Sequence, residues 1–172
     1  MPFLDTLHAY FDAERSFGLF FIAPAGLALL CVAAMSWITQ SGGFRWGLSL
    51  RTLAFGLLML AGGVSLGLRT PGQVGALLSL YEASPASLLA EELPRMERVN
   101  ANWPILLGVW TTMVLGGLGL RFGLHRDWAE GLGIALVLLG GVGLVIDSVS
   151  ERRAEPYTAA LEELAQAQRE AN

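Results

Sequence analysis

The chain has 172 residues, 53% hydrophobic and only 15% charged, against about 25% charged in an average soluble domain. Its net charge is −4 and all 11 basic residues are arginine, so it lacks the clustered positive charge that nucleic acid would require of a partner. A single cysteine, Cys31, excludes an intramolecular disulfide.

A chain of this length indicates one domain, residues 1–172. Residues 3–16 alternate Phe3, Leu4, Leu7, Tyr10 and Phe11 with Asp5, His8, Asp12 and Glu14 at helical spacing. They predict an amphipathic lead-in helix along the membrane surface. The first apolar block, about 17–38, carries no charge and meets the roughly 20 residues that a bilayer core of about 30 Å requires. The acidic N-terminal flank argues for a retained span over a cleaved signal. Cys31 lies in this block and is expected to be a small buried side chain.

Ser41-Gly42-Gly43 predicts a tight turn before a second span at about 47–68, with Arg51 one turn inside it. Arg69-Thr70-Pro71-Gly72 is expected to end that span and open an extramembrane connection, 70–103. Within it, Ser84-Pro85 is an N-cap with proline at the first helical position. A short helix is expected there, with Leu88, Leu89 and Leu93 on one side and Glu91 and Glu92 on the other. Pro94 is expected to break or restart it. Asn102-Trp103-Pro104 signals the start of a third span, about 104–122, and the fourth follows at about 130–149. Residues 150–172 form a tail in which Tyr157, Ala160, Leu161, Leu164 and Ala165 recur at helical spacing.

Four of the five tryptophans, Trp37, Trp46, Trp103 and Trp128, fall at predicted span ends, where a ring with a wet N–H is most stable. The apolar runs show none of the alternation of barrel strands, and in lipid such runs satisfy their backbone only as helices. The fold class is therefore all-α: a four-helix transmembrane bundle with short amphipathic interfacial helices. Glycine is abundant in the spans, and Gly63, Gly67, Gly116, Gly119, Gly123 and Gly140 are the candidate helix-packing positions. Small residues let helix backbones approach in lipid, either within this bundle or against a partner helix.

The centres of the spans hold no ionisable residue, which argues against ion-coupled transport. No nucleophile elbow or phosphate loop is present, and neither His8 nor His125 lies in a span, so no cofactor or metal is expected. The candidate polar surface site is Glu91, Arg95, Glu97, Arg98, Asn100 and Asn102. In residue types, Arg95-Met-Glu97-Arg98-Val-Asn100 ahead of an apolar span resembles the membrane-associated eicosanoid and glutathione metabolism family, four-helix membrane enzymes with Arg, Glu and Asn near a helix start. Its order and spacing differ from that pattern, and it precedes the third span where the family's precedes the second, so membership is not assigned. The architecture is also similar to that of small four-span immunity proteins against pore-forming bacteriocins.

The sequence thus leads to a non-catalytic membrane protein that acts by protein–protein interaction, as an accessory subunit of a membrane complex or an immunity-type protein. The expected partners are membrane lipid and either a protein partner or a second copy within the membrane. The alternative is an enzyme or binder of a lipid-like substrate using the polar cluster before the third span. A bacterial inner membrane is the expected location. Arg45 and Arg51 in one turn and Arg121 and Arg126 in another place those turns in the cytoplasm. The termini and the 70–103 connection then lie on the periplasmic side.

Overall fold

The computed structural model describes residues 2–171. Four long helical rods account for almost all of them. The first is α1 (Pro2–Phe17), a π-helical turn (Gly18–Ile22) and α2 (Ala23–Thr39); the others are α3 (Gly42–Ala83), α4 (Pro85–Gly123) and α5 (Asp127–Ala171). α2 packs on α3, α3 on α5, and α5 on α4. All four rods are long and apolar enough to cross a membrane, which makes this a multi-pass membrane protein.

The rods are too long to be spans alone. At about 1.5 Å per residue, the 42 residues of α3 cover about 63 Å, twice the hydrocarbon core. The side chains show where each rod leaves the lipid. Among the described residues, every exposed large apolar side chain lies between Phe20 and Val145, with none between Leu68 and Ile105. The six largest fully buried side chains, Tyr157, Phe11, Leu7, Leu88, Met96 and Leu161, all lie outside that belt. One half of the molecule is therefore apolar on its outside, as lipid demands. The other half keeps its apolar residues inside, as water demands.

This arrangement changes the reading of 70–103. The segment continues α3 and α4 as helices, and only Ser84 interrupts them. Ser84 is extended, its hydroxyl accepts from Ala86 N at 3.2 Å, and Pro85 opens α4 as the cap signal predicts. The lead-in helix and the tail pack on each other: Phe3, Leu7 and Phe11 of α1 share a core with Leu88 and Met96 of α4 and Tyr157 and Leu161 of α5. Each amphipathic face finds a protein partner, so none needs to lie on lipid.

Pro71, Pro94, Pro104 and Pro156 all sit inside continuous helices. The breaks expected at Pro71 and Pro94 do not occur, and Asn102-Trp103-Pro104 caps no new helix. An interior proline removes one hydrogen bond and crowds the carbonyl four residues back, about 3 kcal/mol in all. Packing along rods of this length outweighs that local penalty. At Pro24 the helix accommodates the proline differently. Gly18–Ile22 widens into a π turn and Ala23 N–H bonds to Gly18 O, five residues back.

In the belt the rods touch through glycine. A Cβ on Gly26 would lie 2.5 Å from Leu60 N and 2.8 Å from Gly56 O, and Gly117 and Gly133 would each meet the other's carbonyl at 2.7 and 2.6 Å. Among the described residues only Gly42, where α3 begins after the turn from α2, has a positive φ, 61°. Cys31 faces outward on the lipid side and is not buried. Its position on α2 is turned away from the core residues Leu29 and Ala33.

Candidate functional site

Leu88, Glu92 and Met96 are spaced four apart on α4, and all three are buried. A carboxylate therefore stands on the apolar stripe of the water-exposed half, on the opposite side from that expected. Its charge is met locally. Arg95 Nε donates to Glu92 Oε2 at 2.7 Å and Nη2 to Oε1 at 2.6 Å, a bidentate pair. Tyr157 of α5 donates its hydroxyl to Oε1 at 3.0 Å. Tyr10 of α1 stacks on Tyr157 with ring centroids 4.6 Å apart.

Burial is the main cause of the shifts at Tyr157, Tyr10 and Glu14. It pushes the Tyr157 hydroxyl far above the ordinary phenol range, helped by the Glu92 charge and hydrogen bond. It pushes Tyr10 up to about 12, with the Glu14 charge adding to the effect. Glu14 is also raised by burial, which Arg95 and Arg69 oppose. The hydrogen bond to Glu92 is the main reason that Arg95 is held above its usual value.

Beside this pair, where the rods enter the apolar belt, lies a cavity of about 210 Å³. Tyr10, Glu14, Arg69, Arg95, Ser150 and Arg153 form its polar wall; Phe17, Ile22, Leu66, Val99 and Trp103 form the apolar one. All four rods contribute. The π turn brings Ile22 to the wall, and Arg153 is fixed by donation to Ala13 O at 3.1 Å and by stacking 4.4 Å from the Phe17 ring centroid.

Of the sequence candidates, Arg95 joins this site and Asn100 stands near it. Asn100 Nδ2 donates to Thr158 Oγ1 at 3.0 Å and its Oδ1 accepts from Trp103 Nε1 at 3.3 Å. Glu91, Glu97, Arg98 and Asn102 are exposed; Arg98 donates to Pro94 O at 3.1 Å. The partner of Arg95 is Glu92, not Glu91. Glu14, Arg69, Arg153 and Tyr157 come from distant parts of the sequence, and no local spacing connects them. Within the belt, Trp110 Nε1 donates to Asp147 at 2.5 Å, so the one acid near the end of α5's apolar stretch is partnered.

The candidate glycines divide. A Cβ at Gly63 would lie 2.6 Å from Ala23 N, one at Gly67 would meet the Leu19 side chain, and one at Gly140 would lie 2.8 Å from Trp110 O. Gly116, Gly119 and Gly123 face open space, as does Gly108. No protein-family model, curated protein or solved structure matches the chain.

Proposed function

We propose that this is a non-catalytic membrane protein that holds another membrane helix against the outer face of α4, as an accessory subunit of a membrane complex or an immunity-type protein. The supporting observation is the unused face of that helix. Only 6% of its most apolar window is buried within the chain, against 28–39% for the other three rods. Gly108, Gly116, Gly119 and Gly123 lie along it with nothing within 4 Å. Each glycine disfavours the helix by about 1 kcal/mol relative to alanine. In lipid the compensating gain comes from close backbone approach, which no helix of this chain makes there. Thr111 and Thr112, also exposed, turn their hydroxyls back to Leu107 O and Gly108 O, so the face presents methyl groups and bare backbone.

We also propose a bacterial inner membrane as its location, of which the four candidate spans support the membrane part. Purification of the tagged chain in mild detergent tests the function. A stoichiometric membrane-protein partner, or a second copy, is expected in the wild type and is expected to be lost in Gly116→Leu and Gly119→Leu. Retention of the partner in both variants, or a chain that elutes alone, overturns the reading.

A further inference from the structure

We propose that the cavity at the membrane border binds a phosphate group carrying one negative charge, held by Arg69 and Arg153, with any apolar remainder of the ligand on the bilayer side. The charges favour an anion. Arg95 is matched by Glu92 in a bidentate pair, which leaves Arg69 and Arg153 against the single carboxylate of Glu14. Two guanidinium groups and one carboxylate leave one positive charge for a ligand to meet. Arg69 makes no hydrogen bond or ion pair to any described residue. Arg153 spends one N–H on Ala13 O and is clamped over Phe17, so its remaining donors are oriented before a ligand arrives. Planar guanidinium donors match phosphate oxygens bidentately.

Shape and depth agree. The volume of about 210 Å³ is below the roughly 300–1,000 Å³ of pockets that enclose drug-sized molecules. It suits a headgroup phosphate and leaves no room for a whole amphiphile. Phe17, Ile22 and Leu66 line the side toward the exposed belt, which begins at Phe20 on the first rod and ends at Leu68 on α3. The polar wall thus stands at the height of lipid phosphates. Glu14 shares the cavity and opposes an anion there. Burial raises its pKa and so favours its neutral form, which lessens that opposition.

Native mass spectrometry of the purified chain in mild detergent, titrated with dioleoyl-phosphatidylglycerol and with dioleoylglycerol, tests the site. The phosphate-bearing lipid is expected to bind at least tenfold more tightly than the diacylglycerol. Arg69→Gln and Arg153→Gln are each expected to weaken it about tenfold, the scale of one charge-assisted hydrogen bond, and Glu14→Gln to tighten it. Inorganic phosphate at millimolar concentration separates the sources. Displacement of the lipid assigns the site to free phosphate, and persistence assigns it to a lipid headgroup; both support the site. Equal binding of the two lipids, or binding unchanged in Arg69→Gln, overturns it. Arg69 makes no hydrogen bond to a described residue and meets only the charge of Glu14, so that variant remains decisive even if Arg153→Gln fails to fold.

Discussion

Glu92 has 3% of its surface exposed, and among the described residues its side chain is answered by Arg95 and Tyr157. Removing one member of a buried pair strands the other, and such losses run to about 3–5 kcal/mol. Arg95→Ala is therefore expected to lower the thermal midpoint of the detergent-solubilised protein sharply, and Tyr157→Phe to cost about 1–3 kcal/mol for one acceptor left short. Exchanging Glu92 and Arg95 together for Leu and Met is expected to recover much of the loss. A midpoint unmoved in Arg95→Ala would show that the pair contributes nothing. Glu14 supplies a pH test. Its folded pKa is raised above the ordinary value of 4.5, so its contribution to stability is complete below about that pH. The contribution fades as pH rises through the folded value. Glu14→Gln should remove that slope and leave the protein more stable at neutral pH; an unchanged slope would place the titration elsewhere. At this scale the sequence was legible only in part. Arg95 stood out as a charge in a polar run. Glu92 was grouped with Glu91, and the helical phase from Leu88 to Met96 that places it inward outranked composition. Arg69 and Arg153 join the site through tertiary approach, which spacing does not encode.

Prolines and glycines decide the behaviour of the elements. The helix of α4 passes through Pro94 without interruption, and Pro94 is exposed. Alanine there restores a donor to the carbonyl of Ala90 and removes the ring clash. Pro94→Ala is expected to raise the thermal midpoint, and a fall would show that the proline geometry is needed for packing. Two glycines give a matched pair. Gly26→Ala drives a methyl into the backbone of α3 at Leu60, whereas Gly62→Ala meets nothing within 4 Å. The first is expected to destabilise the α2–α3 hairpin and the second to stabilise α3 by about 1 kcal/mol, both measured by thermal unfolding in detergent. Equal effects would mean that α2 and α3 do not approach through glycine. Four apolar helices were plain in the sequence because hydropathy over about 20 residues reports lipid directly. The continuity of α3 and α4 past Pro71 and Pro94 was not. Proline is a local signal, and the packing that overrides it comes from α1 and from the far end of α5.

For the whole molecule, the four rods share one division into a lipid-facing and a water-facing half, so the orientation of a single turn fixes everything else. The turn between α2 and α3 is short, and Arg45 and Arg51 follow it in the first turns of α3. Arg45 stacks 4.8 Å from the Trp37 ring centroid and Arg51 donates to Trp46 O at 2.8 Å, so both are anchored at the belt's edge. Arg126 lies in the turn between α4 and α5 and Arg121 in the last turn of α4, where it pairs with Glu130 at 3.0 Å. At the other end stand Arg15, Arg69, Arg95, Arg98, Arg152, Arg153 and the more distant Arg169, a larger number that pulls the opposite way. Topology is set by arginine near span ends, and the first helix usually dominates because it inserts first. Its flanks carry Arg15 on one side and Arg45 and Arg51 on the other, which favours a cytoplasmic α2–α3 turn. On that proposed orientation the water-facing half and both termini are expected on the periplasmic side, with the proposed phosphate cavity in the outer leaflet. A reporter that functions only in the cytoplasm should work when inserted at His125 and fail when fused after Asn172. The reverse pattern would invert the molecule, place the arginine-rich end inside, and show that the larger arginine count outweighed the first helix.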